Sequence, residues 1–204
     1  GDRPCRPGTQ LPGLRALAPQ GCRFLGLCKA DAYGHGAVPV AKKLQELGAD
    51  MLAVACVDEA AQLRRGGITL PILCLGKTPV ELTPMLLEYD VTQAVEDLET
   101  GEALSRAAQE AGKKLTIHVK LDTGMSRLGF FWRQDTAQET ADRIASLCRL
   151  PGLEAEGMFT HFANADGDEL THGCSLPAFW TPRRPWSSGA LPSKFAIVPP
   201  APLC

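Results

Sequence analysis

The sequence predicts an α/β protein whose parallel sheet is assembled from about six strand-helix units, two short of a closed (β/α)8 barrel. Between roughly Arg15 and Glu169, short apolar runs alternate with amphipathic stretches, the pattern of repeated strand-helix units. Glycines stand where the amphipathic stretches stop. The length, 204 residues, falls below the roughly 250 that a full eightfold barrel needs.

The strands expected are Phe24 to Cys28, Met51 to Cys56, Ile72 to Leu75, Val91 to Val95, Leu115 to Leu121 and Leu153 to Phe159. Leu44 and Leu47 precede Gly48, Leu63 precedes Gly66-Gly67, and Leu104 and Ala108 precede Gly112, so these glycines read as left-handed helix stops, not phosphate loops. The ends differ in composition. Of 16 prolines, 11 lie in the first 19 or last 35 residues, which marks residues 1–13 and 171–204 as irregular arms around a partial barrel domain at 14–170.

Charge excludes some classes of partner. With 21 basic against 23 acidic residues and no basic run, neither nucleic acid nor an anionic membrane is expected, and a small molecule is the better partner. No apolar stretch approaches the roughly 18 residues of a bilayer span, and the opening lacks a signal-peptide core, so a cytoplasmic location is expected. The eight cysteines show neither a Cys-x-x-Cys pair nor zinc-ligand spacing. Cys28, Cys56 and Cys74 sit in apolar runs and read as buried thiols.

Three segments carry chemistry. In Phe24-Leu-Gly-Leu-Cys-Lys-Ala-Asp-Ala-Tyr-Gly-His-Gly36 an apolar strand delivers Lys29 at its C-terminal end, the catalytic face of such barrels. An amine only partly hydrated is a competent nucleophile toward an aldehyde. In Leu115-Thr-Ile-His-Val-Lys-Leu-Asp-Thr-Gly-Met-Ser-Arg-Leu-Gly129 the alternation puts Thr116, His118, Lys120 and Asp122 on one face. Charges on an interior face are costly unless paired or used, whereas His118 reads as core packing. The third segment, Gly157-Met-Phe-Thr-His-Phe-Ala-Asn-Ala-Asp166, follows the sixth strand, and Asp166 reads as turn chemistry.

Together these segments resemble the pyridoxal-phosphate-binding barrel of bacterial alanine racemases, over about residues 14 to 170. Lys29-Ala-Asp-Ala-Tyr-Gly-His-Gly36 is similar to the family's cofactor-lysine signature. The resemblance implies a TIM-type barrel in which Lys29 forms the Schiff base with pyridoxal 5'-phosphate and serves as one of two catalytic bases, with Tyr33 binding the phosphate. His35 inherits no role and reads as a helix-start residue. The second segment resembles the family's Lys-x-Asp-Thr-Gly-Met-x-Arg-x-Gly motif, which implies a carbamylated Lys120 positioning Arg127, itself the contact to the cofactor's phenolic oxygen and to substrate. A guanidinium suits that anchor because it stays charged and presents a planar fork. His161 would lie against the pyridine ring. The implied activity is interconversion of L-alanine and D-alanine for the cell wall, in a homodimer whose other base is a tyrosine from a later domain of the partner subunit.

After Asp168 the resemblance stops, and the family's last strands and C-terminal β domain are not visible. Both ends are expected to be translated out of frame. Degenerate codons for residues 1–13, read one base on, permit Glu-Ile-Asp-Leu-Ala-Ala-Leu-Ala-His-Asn-Tyr-Arg, similar to the family's opening strand and helix, and residues 192–203 read from the third base permit a stretch like its phosphate-binding one. Racemisation of another amino acid, a non-catalytic cofactor carrier of the same fold, and an inactive truncated product are the alternatives.

Overall fold

The computed structural model describes residues 21–133 and 135–163, the separate positions Leu11, Gly13, Arg15 and Ala16, and the backbone of 195–196. Eight strands are present among them: β1 (Arg23–Leu27), β2 (Met51–Val54), β3 (Ile72–Cys74), β4 (Val91–Val95), β5 (Leu115–Asp122), β6 (Phe130–Phe131), β7 (Leu153–Thr160) and β8 (Phe195–Ala196). The helices are α1 (Ala37–Glu46), α2 (Val57–Arg65), α3 (Thr83–Glu88), α4 (Leu98–Glu110) and α5 (Ala137–Cys148). The chain forms two compact units, Gly1–Ala94 with Lys194–Cys204, and Val95–Ser193.

In the first unit β1 to β4 are successive parallel neighbours, in register at Leu25 with Met51, Leu52 with Ile72, and Ile72 with Val91. β8 adds a parallel pairing on the free edge of β1. Every residue of β2 and β3 is buried, as is the part of β4 in this unit. Parallel strands covered on both faces read as unbroken apolar runs instead of alternating ones, which is why Met-Leu-Ala-Val and Ile-Leu-Cys were legible as strands. Gly48 and Gly67 take φ of 77° and 87°, the left-handed stops expected of α1 and α2, whereas Gly66 stays right-handed. Leu11, Phe24 and Ala49 form a buried cluster, joined at its edge by Leu44, Leu47 and Leu70.

One side chain fastens the sheet end away from Lys29. Arg64, in the last turn of α2, donates from Nε to the Tyr89 carbonyl at 2.8 Å, from Nη1 to Ile68 and Leu70 at 3.0 and 2.6 Å, and from Nη2 to Asp90 at 3.0 Å. Those carbonyls belong to the two loops that lead into β3 and β4, where the arginine supplies donors to backbone acceptors.

The second unit centres on β5, which pairs in parallel with β7 from Leu115–Leu153 to Leu121–Thr160, with an irregularity between Ile117 and His118, and with β6 near its end. Small residues let its helices pack closely against each other and against the start of β7. A Cβ on Gly101 of α4 would run into Leu147 Cδ1 of α5, and one on Gly152 would run into the Ser105 carbonyl oxygen of α4. Gly112 ends α4 with φ 64°.

All six expected strands are present, Val91–Val95 with both ends as expected and the others with at least one end shifted by one or two residues. Two expectations need correction. β2 ends at Val54, so Cys56 is not a buried strand thiol but the exposed N-cap of α2; Cys28 and Cys74 are buried. The two-residue strands β6 and β8 were not foreseen because two residues carry no period. Asp166, most of the N-terminal arm and most of the C-terminal tail lie outside the described residues.

Candidate functional site

At the end of β1 the chain reverses its handedness. Ala30, Asp31, Ala32 and Tyr33 hold φ between 51° and 57° with ψ between 36° and 51°, a full left-handed helical turn made without glycine. Each such L-residue costs about 1–2 kcal/mol relative to the right-handed form, so the surroundings must impose the shape. They do so with hydrogen bonds at both ends. The Cys28 N–H donates to the Ala53 carbonyl at 2.8 Å, and the Ala32 N–H returns to the Cys28 carbonyl at 3.0 Å. Glu59, in the first turn of α2, accepts the Ala30 N–H on Oε1 and the Ala55 N–H on Oε2, each at 2.7 Å. Asp31 Oδ1 accepts the Ala37 N–H at 2.7 Å and so caps α1.

Lys29 enters this turn half-buried, with Nζ 5.9 Å from the centroid of the Tyr33 ring. Tyr33 is 47% exposed, so its phenol is available to a ligand. The Cys28 thiol, fully buried and near Glu59, is pushed up to about 12, chiefly by burial, and offers no competing thiolate near neutral pH. His35 is exposed and sits just ahead of α1, in keeping with a helix-start position.

In the second unit, Lys120 and Asp122 are both buried at the end of β5. Lys120 Nζ lies 5.9 Å from the centre of the Phe159 ring on β7. Asp122 organises the following loop: Oδ1 accepts the N–H of Gly124 at 3.0 Å and of Ser126 at 2.9 Å, and Oδ2 accepts that of Arg127 at 3.0 Å. Arg127 is thereby fixed through its backbone while its side chain is exposed. Gly129 closes the loop at φ 130°; a Cβ there would lie 2.6 Å from Asp122 N and from Leu121 C. The Thr123 and Thr160 hydroxyls meet at 2.8 Å, and Thr160 also donates to the Leu121 carbonyl at 3.1 Å, joining the ends of β5 and β7. His161 follows directly, exposed, with Nδ1 2.9 Å from the Phe162 carbonyl oxygen.

His118 is a core residue, 1% exposed, its ring filling the space left by Gly157. Burial pulls its pKa below the usual histidine value, opposed by Glu156 with an oxygen at 3.6 Å. The folded chain therefore keeps this imidazole neutral where the unfolded chain, below about pH 6.5, takes up a proton. Stability from this group is complete above that value and declines as pH falls below it. Urea titrations at pH 7 and pH 5 are expected to show the decline, and His118→Gln to flatten it; equal slopes in the two proteins would refute the assignment.

The structure thus brings Lys29 and Tyr33 together in one unit and Lys120, Arg127 and His161 to one end of the β5–β7 pair in the other. Sequence reasoning missed Glu59 and the Thr123–Thr160 tie. A glutamate in a first helical turn reads only as a match to the helix dipole, and nothing local announces that it reaches the neighbouring loop.

The family model described as alanine racemase, N-terminal domain, matches residues 10–179. The alanine racemase of Clostridium perfringens strain SM101 is 43% identical over 149 residues, 73% of this chain and 38% of its own length. That of Clostridium novyi strain NT is 45% identical over 143 residues, 70% of this chain and 36% of its own. Among solved structures, the Clostridium difficile 630 alanine racemase in complex with cycloserine aligns with a TM-score of 0.74 at 43% identity, covering 79% of this chain and 44% of that one. The Bacillus anthracis alanine racemase with bound L-Ala-P aligns at 0.68 and 33% identity, over 79% of this chain and 41% of that one. The chain spans less than half the length of these relatives. Among the described residues no helix is long and apolar enough to cross a membrane.

Proposed function

The chain belongs to the alanine racemase N-terminal domain family, with the incomplete (β/α)8 barrel of that type, and from that premise we propose that it is the cofactor-binding part of a pyridoxal 5'-phosphate-dependent enzyme that interconverts L-alanine and D-alanine. The observation that carries the reading is Lys29, a half-buried amine at the end of β1 on a backbone turn held in a costly conformation. Strain of that kind persists where geometry matters to function.

The residues present fit the cofactor. A primary amine stands ready for an aldehyde, an exposed phenol four residues on suits a phosphate, and an exposed guanidinium on a braced loop suits a phenolate oxygen and a carboxylate. In this reading Lys29 holds the cofactor covalently and takes or returns the substrate Cα proton at Nζ. Tyr33 binds phosphate, Arg127 orients cofactor and substrate with Lys120 as its carbamylated support, and His161 contacts the ring. When bound, the cofactor withdraws electrons from the Cα–H bond, which no side chain near pH 7 can do unaided. The second base comes from a further domain of a partner subunit, which makes the working enzyme a homodimer, and the reaction belongs in the cytoplasm.

Mixing the chain with pyridoxal 5'-phosphate is expected to produce the absorbance band of a protonated imine. Borohydride reduction and peptide mapping are expected to put the adduct on Lys29, with loss to background in Lys29→Ala. An adduct on another lysine of the folded chain defeats the reading. Chiral chromatography over a panel of L-amino acids, with full-length enzyme, decides whether alanine is the substrate.

A further inference from the structure

The geometry points to Glu59 as the positioning residue for Lys29, its carboxylate clamping the backbone amide that follows the lysine. This rests on the reading of Lys29 as the cofactor amine. A glutamate at the third position of a helix ordinarily reaches back to the helix's own N-cap amide. Glu59 does otherwise. Its Oε2 accepts from Ala55, one residue ahead of the N-cap Cys56, and its Oε1 crosses to Ala30 on the neighbouring loop. The Cys56 side chain provides no cap either, so the carboxylate serves two strand ends at once.

Ala30 is the place where such a clamp has leverage. It is the first residue of the left-handed turn, and its N–H is the amide of the peptide bond made by the Lys29 carbonyl. Four non-glycine residues with φ near +50° favour reversal to the right-handed form. With β1 fixed in the sheet, reversal at Ala30 would carry Tyr33 and the rest of the turn away from the Lys29 side chain it now lies beside. The bond from Glu59 holds the Lys29–Ala30 peptide plane from which the turn departs, while Asp31 to Ala37 secures the far end. Hydrogen bonds with an ionised acceptor are the strong kind.

The test uses the whole chain and two variants. Glu59→Gln keeps shape but leaves one acceptor oxygen for two N–H groups. Gln45→Ala, which removes the acceptor for the Thr69 and Leu70 amides in the same unit, controls for loss of general stability. Amide exchange without cofactor is expected to accelerate about tenfold at Ala30 in Glu59→Gln and to stay unchanged there in Gln45→Ala. Borohydride trapping with pyridoxal 5'-phosphate is expected to mark Lys29 about tenfold more slowly in Glu59→Gln only. A plain helix cap gives the opposite pattern: faster exchange at Ala55, none at Ala30, and trapping as in the wild type, which overturns the inference. Equal slowing in Gln45→Ala overturns it too. Wild-type trapping at a different lysine sinks the cofactor reading instead, and exchange at Ala30 then still decides whether Glu59 holds the turn.

Discussion

Gly129→Ala is expected to lose about 4 kcal/mol of folding stability and to free the Arg127 loop. The added methyl would lie 2.6 Å from Asp122 N and Leu121 C and 3.0 Å from the Lys120 carbonyl oxygen. All three are backbone atoms of β5, which is paired along its length with β7 and has nowhere to retreat. The φ of 130° adds a second cost, since that region is essentially reserved for glycine. Relief requires lifting the loop, and lifting it breaks the three N–H bonds that Asp122 accepts. Urea unfolding should show the loss, and amide exchange should accelerate together at Gly124, Ser126 and Arg127. A loss below about 1 kcal/mol, with those amides still protected, would show that β5 yields to a side chain at Gly129 and would overturn the prediction.

Arg64→Met is the other large effect, about 3 kcal/mol. Its guanidinium satisfies four carbonyls with three nitrogens, and burial already pulls its pKa below the usual arginine value against the opposing pull of Asp90. Methionine keeps the apolar stem but leaves the Ile68, Leu70 and Tyr89 carbonyls to whatever water can reach them. Arg64→Lys should recover less than half of the loss, because a single ammonium cannot span acceptors set around a planar fork. Since these carbonyls lie in the loops that enter β3 and β4, cofactor trapping at Lys29 should persist in conditions where the variant remains folded. An unaltered unfolding midpoint in Arg64→Met would show that solvent replaces the arginine at no cost.

The strands were legible because the parallel sheet is covered on both faces: Met51–Val54 and Ile72–Cys74 have no polar positions to blur the apolar run. The helix stops at Gly48, Gly67 and Gly112 were legible because a left-handed residue has few substitutes for glycine. The same rule hid the most unusual segment. Ala-Asp-Ala-Tyr contains nothing that suggests a left-handed turn, since its shape is imposed by Glu59 and by the Cys28 carbonyl, from outside the four residues. Cys56 was misread for a related reason: the apolar run continues past the point where β2 stops, and the N-cap position is decided by where the chain turns into α2. Lys120 and Asp122 stood out as charges on an interior face. Their burial was predictable, but the use of Asp122 as a backbone anchor for Arg127 depends on loop geometry that alternation does not encode.

The turn after Lys29 has a bearing on the order in which the protein matures. Its four residues carry no intrinsic bias toward their final form, so in a nascent chain that stretch samples ordinary right-handed and extended shapes. Only when α2 has docked and the amides of Ala30 and Ala55 share one carboxylate does the mirror-sense backbone become the favoured one. On the proposed reading of Lys29, the cofactor amine is thus set in place by residues outside its own segment, and its reaction with an aldehyde depends on α2 being docked.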